Sequence, residues 1–166
     1  SIDKEYIKST VITTTDKVYK FKKLNHKFSE SDDLGGDDPY SASKVCVEIL
    51  SNSYIKSIFK NKGLCKKVSV VRAGNVLGGG DISKNRLIPD IIRSLNSKKK
   101  LIVRNPNHIR PWQHVIEPIY GYLLLAELQY KKKIKIENRS WNFGPREKNF
   151  LKVKSIVKKF KGNSLL

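Results

Sequence analysis

Apolar positions along this chain fall into two rhythms, and the switches between them mark its elements. Val11-Ile12-Thr13-Thr14 is a short, largely β-branched run that reads as a buried strand end. A polar stretch over residues 20–37 then reads as a surface loop. From Asp38 the rhythm changes, because Ala42, Val45, Cys46, Ile49 and Leu50 recur at helical spacing. Asp38 supplies a side-chain cap and Pro39 takes the first helical position, where a missing N–H costs nothing. Gly63 supplies a stop. Cys46, on the apolar face, is expected to be a small buried thiol. Residues 67–72 form the next strand and lead into a glycine-rich loop over residues 73–81.

The alternation continues to the end. Residues 87–95 predict a helix with Pro89 in its first turn, and residues 101–104 a short strand. Residues 110–115 lead into another strand, and residues 117–130 are a strongly apolar helix. Residues 140–143 are a strand ended by Gly144-Pro145, and residues 151–160 a last amphipathic helix. Strands alternating with helices predict an α/β fold built on a parallel sheet.

Composition narrows the function classes. At 166 residues, with 39% hydrophobic and 30% charged, the chain reads as soluble and globular, one domain or slightly more. No apolar run approaches the roughly 18 residues of a membrane span, so no membrane partner is expected. The opening Ser1-Ile2-Asp3-Lys4-Glu5 lacks a charged-then-apolar leader pattern, and a reducing cytoplasm is the expected location. Cys46 and Cys65 are too few, and wrongly spaced, for zinc or a disulfide framework; no metal is expected.

The net charge of +19, from 34 Lys and Arg against 15 Asp and Glu, invites a nucleic-acid reading. The footprint is wrong for it. Lysines come as Lys98-Lys99-Lys100 and Lys131-Lys132-Lys133 at the ends of helical patterns, where they suit the helix dipole. No arginine stripe, zinc-finger spacing or interleaved aromatic run accompanies them. No nucleic-acid partner is expected, although the charge helps attract a phosphorylated substrate.

The candidate chemistry lies in two short segments. Thr15-Asp16-Lys17 follows the first strand, and Tyr40-Ser41-Ala42-Ser43-Lys44 opens the long helix. A tyrosine and a lysine at i and i+4 share one helical face. There an ammonium can lower a phenol pKa, normally about 10, toward a value useful for proton transfer near neutrality. Gly78 to Gly80 do not open a strand–turn–helix crossover, so they are not a dinucleotide fingerprint.

These residues resemble the extended short-chain dehydrogenase/reductase family, and within it the nucleotide-sugar 4,6-dehydratases. The general signature is Tyr40-x-x-x-Lys44 preceded by a strand-end Thr. Thr15-Asp16-Lys17 is more specific: dTDP-glucose dehydratases usually carry Thr-Asp-Glu, and Thr-Asp-Lys is similar to CDP-glucose 4,6-dehydratases. Further blocks match in order: residues 72–81, Arg86-Leu87-Ile88-Pro89-Asp90, residues 104–115 and Trp141-Asn142-Phe143-Gly144-Pro145. The match covers most of the chain, from about residue 10 to residue 145.

The resemblance implies a partial Rossmann-like parallel sheet joined to part of a smaller mixed α/β substrate domain. Residues 1–73 would be the remaining NAD-binding part with the catalytic residues, and residues 74–166 substrate-binding elements interleaved with late Rossmann elements. It also implies a fragment that lacks the family's N-terminal Gly-x-x-Gly-x-x-Gly half and its C-terminal end, and that is inactive alone. The implied reaction converts CDP-glucose to CDP-4-keto-6-deoxyglucose with tightly bound NAD: hydride leaves C4, water is lost across C5 and C6, and hydride returns to C6. The product would serve deoxysugar supply for surface polysaccharide such as the O-antigen of lipopolysaccharide. Relatives commonly dimerise through the helix that carries Tyr40, so a homodimer is expected when full length. Another nucleotide-sugar epimerase or dehydratase of the same family, or an inactive remnant of one, stays open beside this.

Residue by residue, the resemblance gives Tyr40 the 4-hydroxyl proton, Lys44 the phenol and the nicotinamide ribose, and Thr15 the sugar oxygen at C4. Asp16 would protonate the departing 6-hydroxyl. Lys17 stands where relatives carry the glutamate base; it could act as base only when neutral, could stabilise the enolate electrostatically, or could pair with a carboxylate. Asn75, Gly78, Gly79, Gly80, Arg110 and Asn142 match positions that hold the nucleotide diphosphate. Arg110 suits this because a guanidinium fork binds phosphate oxygens bidentately. Arg86, Leu87 and residues 103–105, with Val103 and Arg104, would line the sugar and base pocket. His114, Trp112 and Trp141 are expected to be structural.

Overall fold

The computed structural model describes residues 6–22, 26–61, 68–134, 139–146 and 149–162. Gly63, Cys65 and Lys67, and the opening Ser1 to Glu5, lie outside the described residues. The chain divides into two compact units. The first holds residues 1–74 and 117–143, the second residues 75–116 and 144–166.

The first unit is built on three parallel strands in the order β1-β2-β6: β1 (Thr10–Thr13), β2 (Val68–Ala73) and β6 (Ser140–Phe143). Two helices belong to it, α1 (Pro39–Tyr54) and α3 (Ile116–Tyr130), the latter entering at Glu117. Strand alternation sends the side chains of β2 to opposite faces. Val68 packs with Ile55, Phe59 and Ile12, while Arg72 bonds Glu48 of α1. Val71 packs with Leu125, Ile134 and Val11, and Ser69 bonds Gln129 of α3. The result is an α/β/α sandwich, the parallel α/β arrangement that the alternating pattern predicts.

The second unit packs around one apolar cluster. The helix α2 (Leu87–Ser97) contributes Leu87, Ile88 and Ile91, α4 (Val153–Gly162) contributes Ile156, and Trp112 lies between them. Strand β3 (Val76–Leu77) pairs in parallel with β5 (Gln113–His114), and β4 (Ile109–Pro111) pairs antiparallel with β7 (Phe150–Lys152). Trp112 Nε1 donates to the Leu151 carbonyl at 3.2 Å, and His114 Nδ1 accepts the Ile116 N–H at 3.3 Å. Trp141 packs in the Val71 cluster of the first unit.

Three expectations need correction. Residues 101–104 form no strand: Leu101 joins the α2 cluster, but Ile102 is 84% exposed and no strand among the described residues pairs with it. Leu151 belongs to β7 rather than to the last helix. Most consequentially, the apolar stripe of α1 is turned largely outward, with Ala42 and Val45 only half-buried. Cys46 is exposed, as are Ile49 and Leu50, whereas the buried residues of that helix are Ser41 and Glu48. Periodicity locates an apolar stripe; it does not say which surface covers it.

The start of α1 is as expected. The Asp38 carboxylate accepts from the Tyr40 and Ser41 N–H groups at 3.0 and 3.1 Å and from the Ser41 hydroxyl at 2.5 Å. The Ser41 hydroxyl and amide, the Tyr40 amide and the charge of Lys17 hold the Asp38 carboxyl below its ordinary value. A carboxyl that binds its proton more weakly when folded stabilises the fold fully above the ordinary range near about pH 4, and loses that contribution as pH falls through the lowered folded value. Acid titration of helix signal by circular dichroism therefore differs in Asp38→Ser, whose hydroxyl caps without titrating: its loss below about pH 4 is shallower than in the parent.

Gly121 of α3 lies so close to the Phe143 ring that a Cβ there would overlap it. The ring is held edge-on by Tyr122, 5.1 Å between centroids, so it cannot simply swing away. Helix propensity alone would make Gly121→Ala stabilising by about 1 kcal/mol, but overpacking costs about 1–3 kcal/mol. The expected outcome is a net loss of up to about 2 kcal/mol in urea unfolding, and a gain would show that the contact is loose.

Candidate active site

The end of β1 turns sharply into a single turn of 3-10 helix, Asp16–Val18, pinned by the fully buried Val18. Thr15 caps that turn from an extended conformation, its Oγ1 accepting the Lys17 N–H at 3.5 Å and donating to Asp16 Oδ1 at 3.2 Å. Thr15 is buried, Asp16 half-buried and Lys17 exposed. Because Thr15 and Asp16 are adjacent on a turn rather than on a strand, their oxygens stand together at the strand's carboxyl end. That is the edge where ligands meet open α/β sheets.

Tyr40 stands at the start of α1 and is 51% exposed, so its phenol is open to a ligand rather than turned into the core. The Lys17 ammonium lies 5.6 Å from its ring centroid and the Lys44 ammonium 5.9 Å. Two cations at cation–π range flank one phenol. The structure thus brings Tyr40, Lys44 and Lys17 together, with Thr15 and Asp16 carried on the same turn as Lys17.

Behind this corner lies a polar network that sequence reasoning missed. Glu48, fully buried, takes Arg72 Nε on Oε1 and Nη2 on Oε2, both at 2.8 Å. Thr14 donates to the same Oε1 at 2.7 Å. Arg72 Nη1 donates to the Tyr19 hydroxyl at 2.8 Å, and that hydroxyl donates to Asn142 Oδ1 at 2.5 Å. Burial pushes the Tyr19 phenol up, against the hydrogen bond and charge of Arg72. Burial also opposes the charge of Arg72, yet its hydrogen bonds to Glu48 and Tyr19 carry the guanidinium above its ordinary value. The available signal was position: Glu48 follows Tyr40 and Lys44 at the same four-residue step, and Arg72 opens a matched block.

Asn142 sits inside this network. Its side-chain oxygen accepts from Tyr19, its Nδ2 donates to the Phe28 carbonyl at 3.3 Å, and its backbone N–H donates to Glu30 Oε1 at 2.8 Å.

The remaining candidates belong to the second unit. A cleft of about 1070 Å³ there is lined by Leu87, Val103, Arg104, Asn105 and Arg110, with Arg93 and His108 added that the sequence did not suggest. Arg104 Nη2 donates to Asn85 Oδ1 at 3.0 Å, and Arg110 Nη2 meets His108 Nδ1 at 3.4 Å. Several cations converge on one concavity. That suits an anionic ligand.

Asn75, Gly78, Gly79, Gly80 and Arg86 do not line that cleft. The Asn75 carbonyl accepts the Gln113 N–H at 3.2 Å, Gly78 packs so tightly on Val115 that a Cβ would stand 2.8 Å from its Cγ1, and Gly80 holds a left-handed φ of 79°. Arg86 is exposed and precedes α2. Among the described residues no group of His, Cys, Asp or Glu could hold a metal ion, and no helix is long and apolar enough to cross a membrane.

Comparison with known proteins places the chain in a family. The model of the NAD dependent epimerase/dehydratase family matches residues 2–144. A CDP-glucose 4,6-dehydratase of Salmonella typhimurium is 43% identical over 92% of this chain and 43% of its own length. The chain therefore spans less than half of that relative. Among solved structures, a dTDP-glucose 4,6-dehydratase from Bacillus anthracis in complex with NAD superposes with TM-score 0.73 at 22% identity, over 93% of this chain and 45% of that one. A UDP-N-acetylglucosamine 4-epimerase from Methanobrevibacter ruminantium gives TM-score 0.72 at 19% identity, over 91% and 45%. With a family model covering most of its length, and a fold shared with such enzymes, this chain belongs to the NAD dependent epimerase/dehydratase family.

Proposed function

We propose that this chain carries the catalytic part of a nucleotide-sugar 4,6-dehydratase acting on CDP-glucose. The observation that carries the reading is the exposed Tyr40 phenol flanked by the Lys17 and Lys44 ammoniums beside the Thr15–Asp16 turn. The CDP-sugar choice is supported by the 43% identity to the Salmonella enzyme and by lysine at position 17.

In this reading Tyr40 takes the proton of the sugar 4-hydroxyl, and Thr15 hydrogen-bonds the same oxygen as charge develops on it. Lys44 stands one helical turn away, its ammonium 5.9 Å from the centroid of the same ring. Asp16 gives its proton to the departing 6-hydroxyl. Lys17 is exposed beside the Tyr40 ring, and that position supports electrostatic stabilisation of an enolate rather than abstraction at C5. The cationic cleft of the second unit takes nucleotide and diphosphate, with Arg110 and Arg104 as phosphate donors. Residues 1–73 serve the cofactor and the chemistry, and residues 74–166 the substrate and the late sheet elements.

NAD fits in part. Tyr40 and Lys44 present a hydroxyl and an ammonium suited to a ribose and to the proton exchanged there. Gly78 to Gly80 do not cradle a pyrophosphate, because residues 81–86 separate them from α2, whose first turn has no side-chain cap. When bound, NAD supplies a hydride acceptor and donor.

The outward stripe of α1, with Cys46, Ile49 and Leu50, supports a homodimer of the full-length protein. Leu50→Lys is expected to convert a sedimenting dimer to monomer; an unchanged dimer would place the interface elsewhere.

The reaction is tested with the gene's full reading frame, supplied with NAD and CDP-, dTDP-, UDP- or GDP-glucose, by product analysis. The expected product is the 4-keto-6-deoxy sugar of CDP, and the 166-residue chain alone is expected to be inactive. Tyr40→Phe lowers kcat by about 10²–10⁴-fold, the usual worth of a general base. Arg110→Gln raises KM by about 10-fold with kcat little changed, as loss of uniform binding does. Preference for dTDP-glucose would overturn the substrate, and full activity of Tyr40→Phe would overturn the mechanism.

A further inference from the structure

The chemistry above leaves one costly feature unused. Glu48 and Arg72 are almost completely buried, with exposures of 0% and 3%. Taking both charges out of water costs several kcal/mol per ion, and well-packed apolar residues of similar volume often stabilise a fold equally well or better. Stability alone is thus a poor reason for this pair to exist. Direction is a better one.

Within α1 the buried residues are Ser41 and Glu48; of its apolar stripe Cys46, Ile49 and Leu50 are exposed, while Ala42 and Val45 are half-buried. The buried apolar anchors on that side of the sheet, Ile55 and Phe59, come in the π-helical turn after α1 ends. Apolar packing around the part of the helix that presents Tyr40 and Lys44 is therefore partial, and it is non-directional in any case. Direction comes from Glu48, which follows Tyr40 and Lys44 at successive four-residue steps, about 6 Å of rise apiece. A bidentate guanidinium fork fixes both distance and orientation. Arg72 belongs to β2, so the fork sets where the helix stands along the sheet.

The same carboxylate sets the other half of the corner. Glu48 Oε1 also accepts Thr14 Oγ1, and the Thr14 N–H donates to the Val71 carbonyl at 2.8 Å. Thr14 is the residue before Thr15. One buried carboxylate is thereby bonded both to the strand end that carries Thr15 and, through its own backbone, to the helix that carries Tyr40 and Lys44. On its far side Arg72 reaches Tyr19 and, at 3.3 Å, Ser140 Oγ.

We propose that Glu48 and Arg72, with Thr14, are positioning residues: their buried pair fixes the distance between the Tyr40–Lys44 face of α1 and the Thr15–Asp16 turn. The inference rests on the reading of Tyr40 and Thr15 as reacting groups, but its geometrical content does not. A displacement of about 1 Å at such a site can cost about 10²-fold in rate.

The test replaces both charges together, E48M/R72M, so that neither is left buried and unpaired. The double variant is expected to melt within a few degrees of the parent. Its crystal structure should show Tyr40 displaced from Thr15 by about 1 Å, and in the full reading frame kcat should fall at least about 10-fold with KM little changed. If kcat recovers together with melting temperature, or Tyr40 and Thr15 keep their places, the pair is merely structural and the proposal falls. Should the double variant fail to fold, Thr14→Val decides, since it leaves the ion pair intact. A fall in kcat above about threefold with Tyr40 or Thr15 displaced supports the positioning role, and unchanged rate and geometry overturn it. A parent without dehydratase turnover would sink the functional reading, while the crystallographic comparison would still decide this one.

Discussion

Arg72 occupies the last stretch of the central strand of a parallel sheet, a place where an unpaired guanidinium could not be buried. It is buried because Glu48 comes to it from α1, and the rest of the first unit is organised around that meeting. β2 can be hydrophobic through Val68, Val70 and Val71 and still end in a cation. The helix can show its apolar stripe to the outside and still be held against the sheet. The loop before α1 is drawn onto the same group: Tyr19 bonds Arg72 and stacks on Phe28 at 4.8 Å, and the Glu30 carbonyl lies 3.4 Å from Nη1. Without the ion pair α1 would be held to the sheet there chiefly by the non-directional attraction of Ile12, Ile55, Phe59 and Val68.

The opposite face of the sheet solves the same problem with a neutral pair. Ser69 alternates with the residues that face α1, and its hydroxyl accepts from Gln129 Nε2 at 2.6 Å; Ser9 in turn donates to the Gln129 oxygen. Buried polar groups on each face thus tie a strand to a helix at one defined register, and apolar contacts fill the space between. The Tyr40–Lys44 face of α1 belongs to the helix on the charged side, where the bidentate pair sets a more directional constraint than the neutral one does.

Much of this was legible in the sequence, for local reasons. Asp38-Pro39 is a helix start whatever surrounds it, and Ser140–Phe143 is a strand with its stop written into Gly144-Pro145. Tyr40 and Lys44 are bound by helix geometry to share a face. What could not be read is whatever depends on a partner distant in sequence. Glu48 and Arg72 are 24 residues apart, two charges in a chain crowded with them, and their positions in the chain, though suggestive singly, do not say that the two meet. The fate of Cys46, Ile49 and Leu50 failed in the same way: an apolar stripe is a demand for cover, and the sequence states the demand without naming the cover. Leu101-Ile102-Val103 carries strand propensity, but a strand needs an edge to pair with.

Lysine at position 17 shows how a single residue can redirect the same scaffold. Where dTDP-glucose dehydratases usually carry glutamate, this chain carries an ammonium, and it stands 5.6 Å from the centroid of the Tyr40 ring. Lys44 stands 5.9 Å from the same centroid, and the Asp38 carboxylate that caps the helix feels Lys17 as well. The corner is therefore one of mixed charge, two ammoniums beside a phenol with the Asp16 and Asp38 carboxylates close by in the chain. A glutamate at position 17 would reverse the sign of one of the two charges nearest the ring.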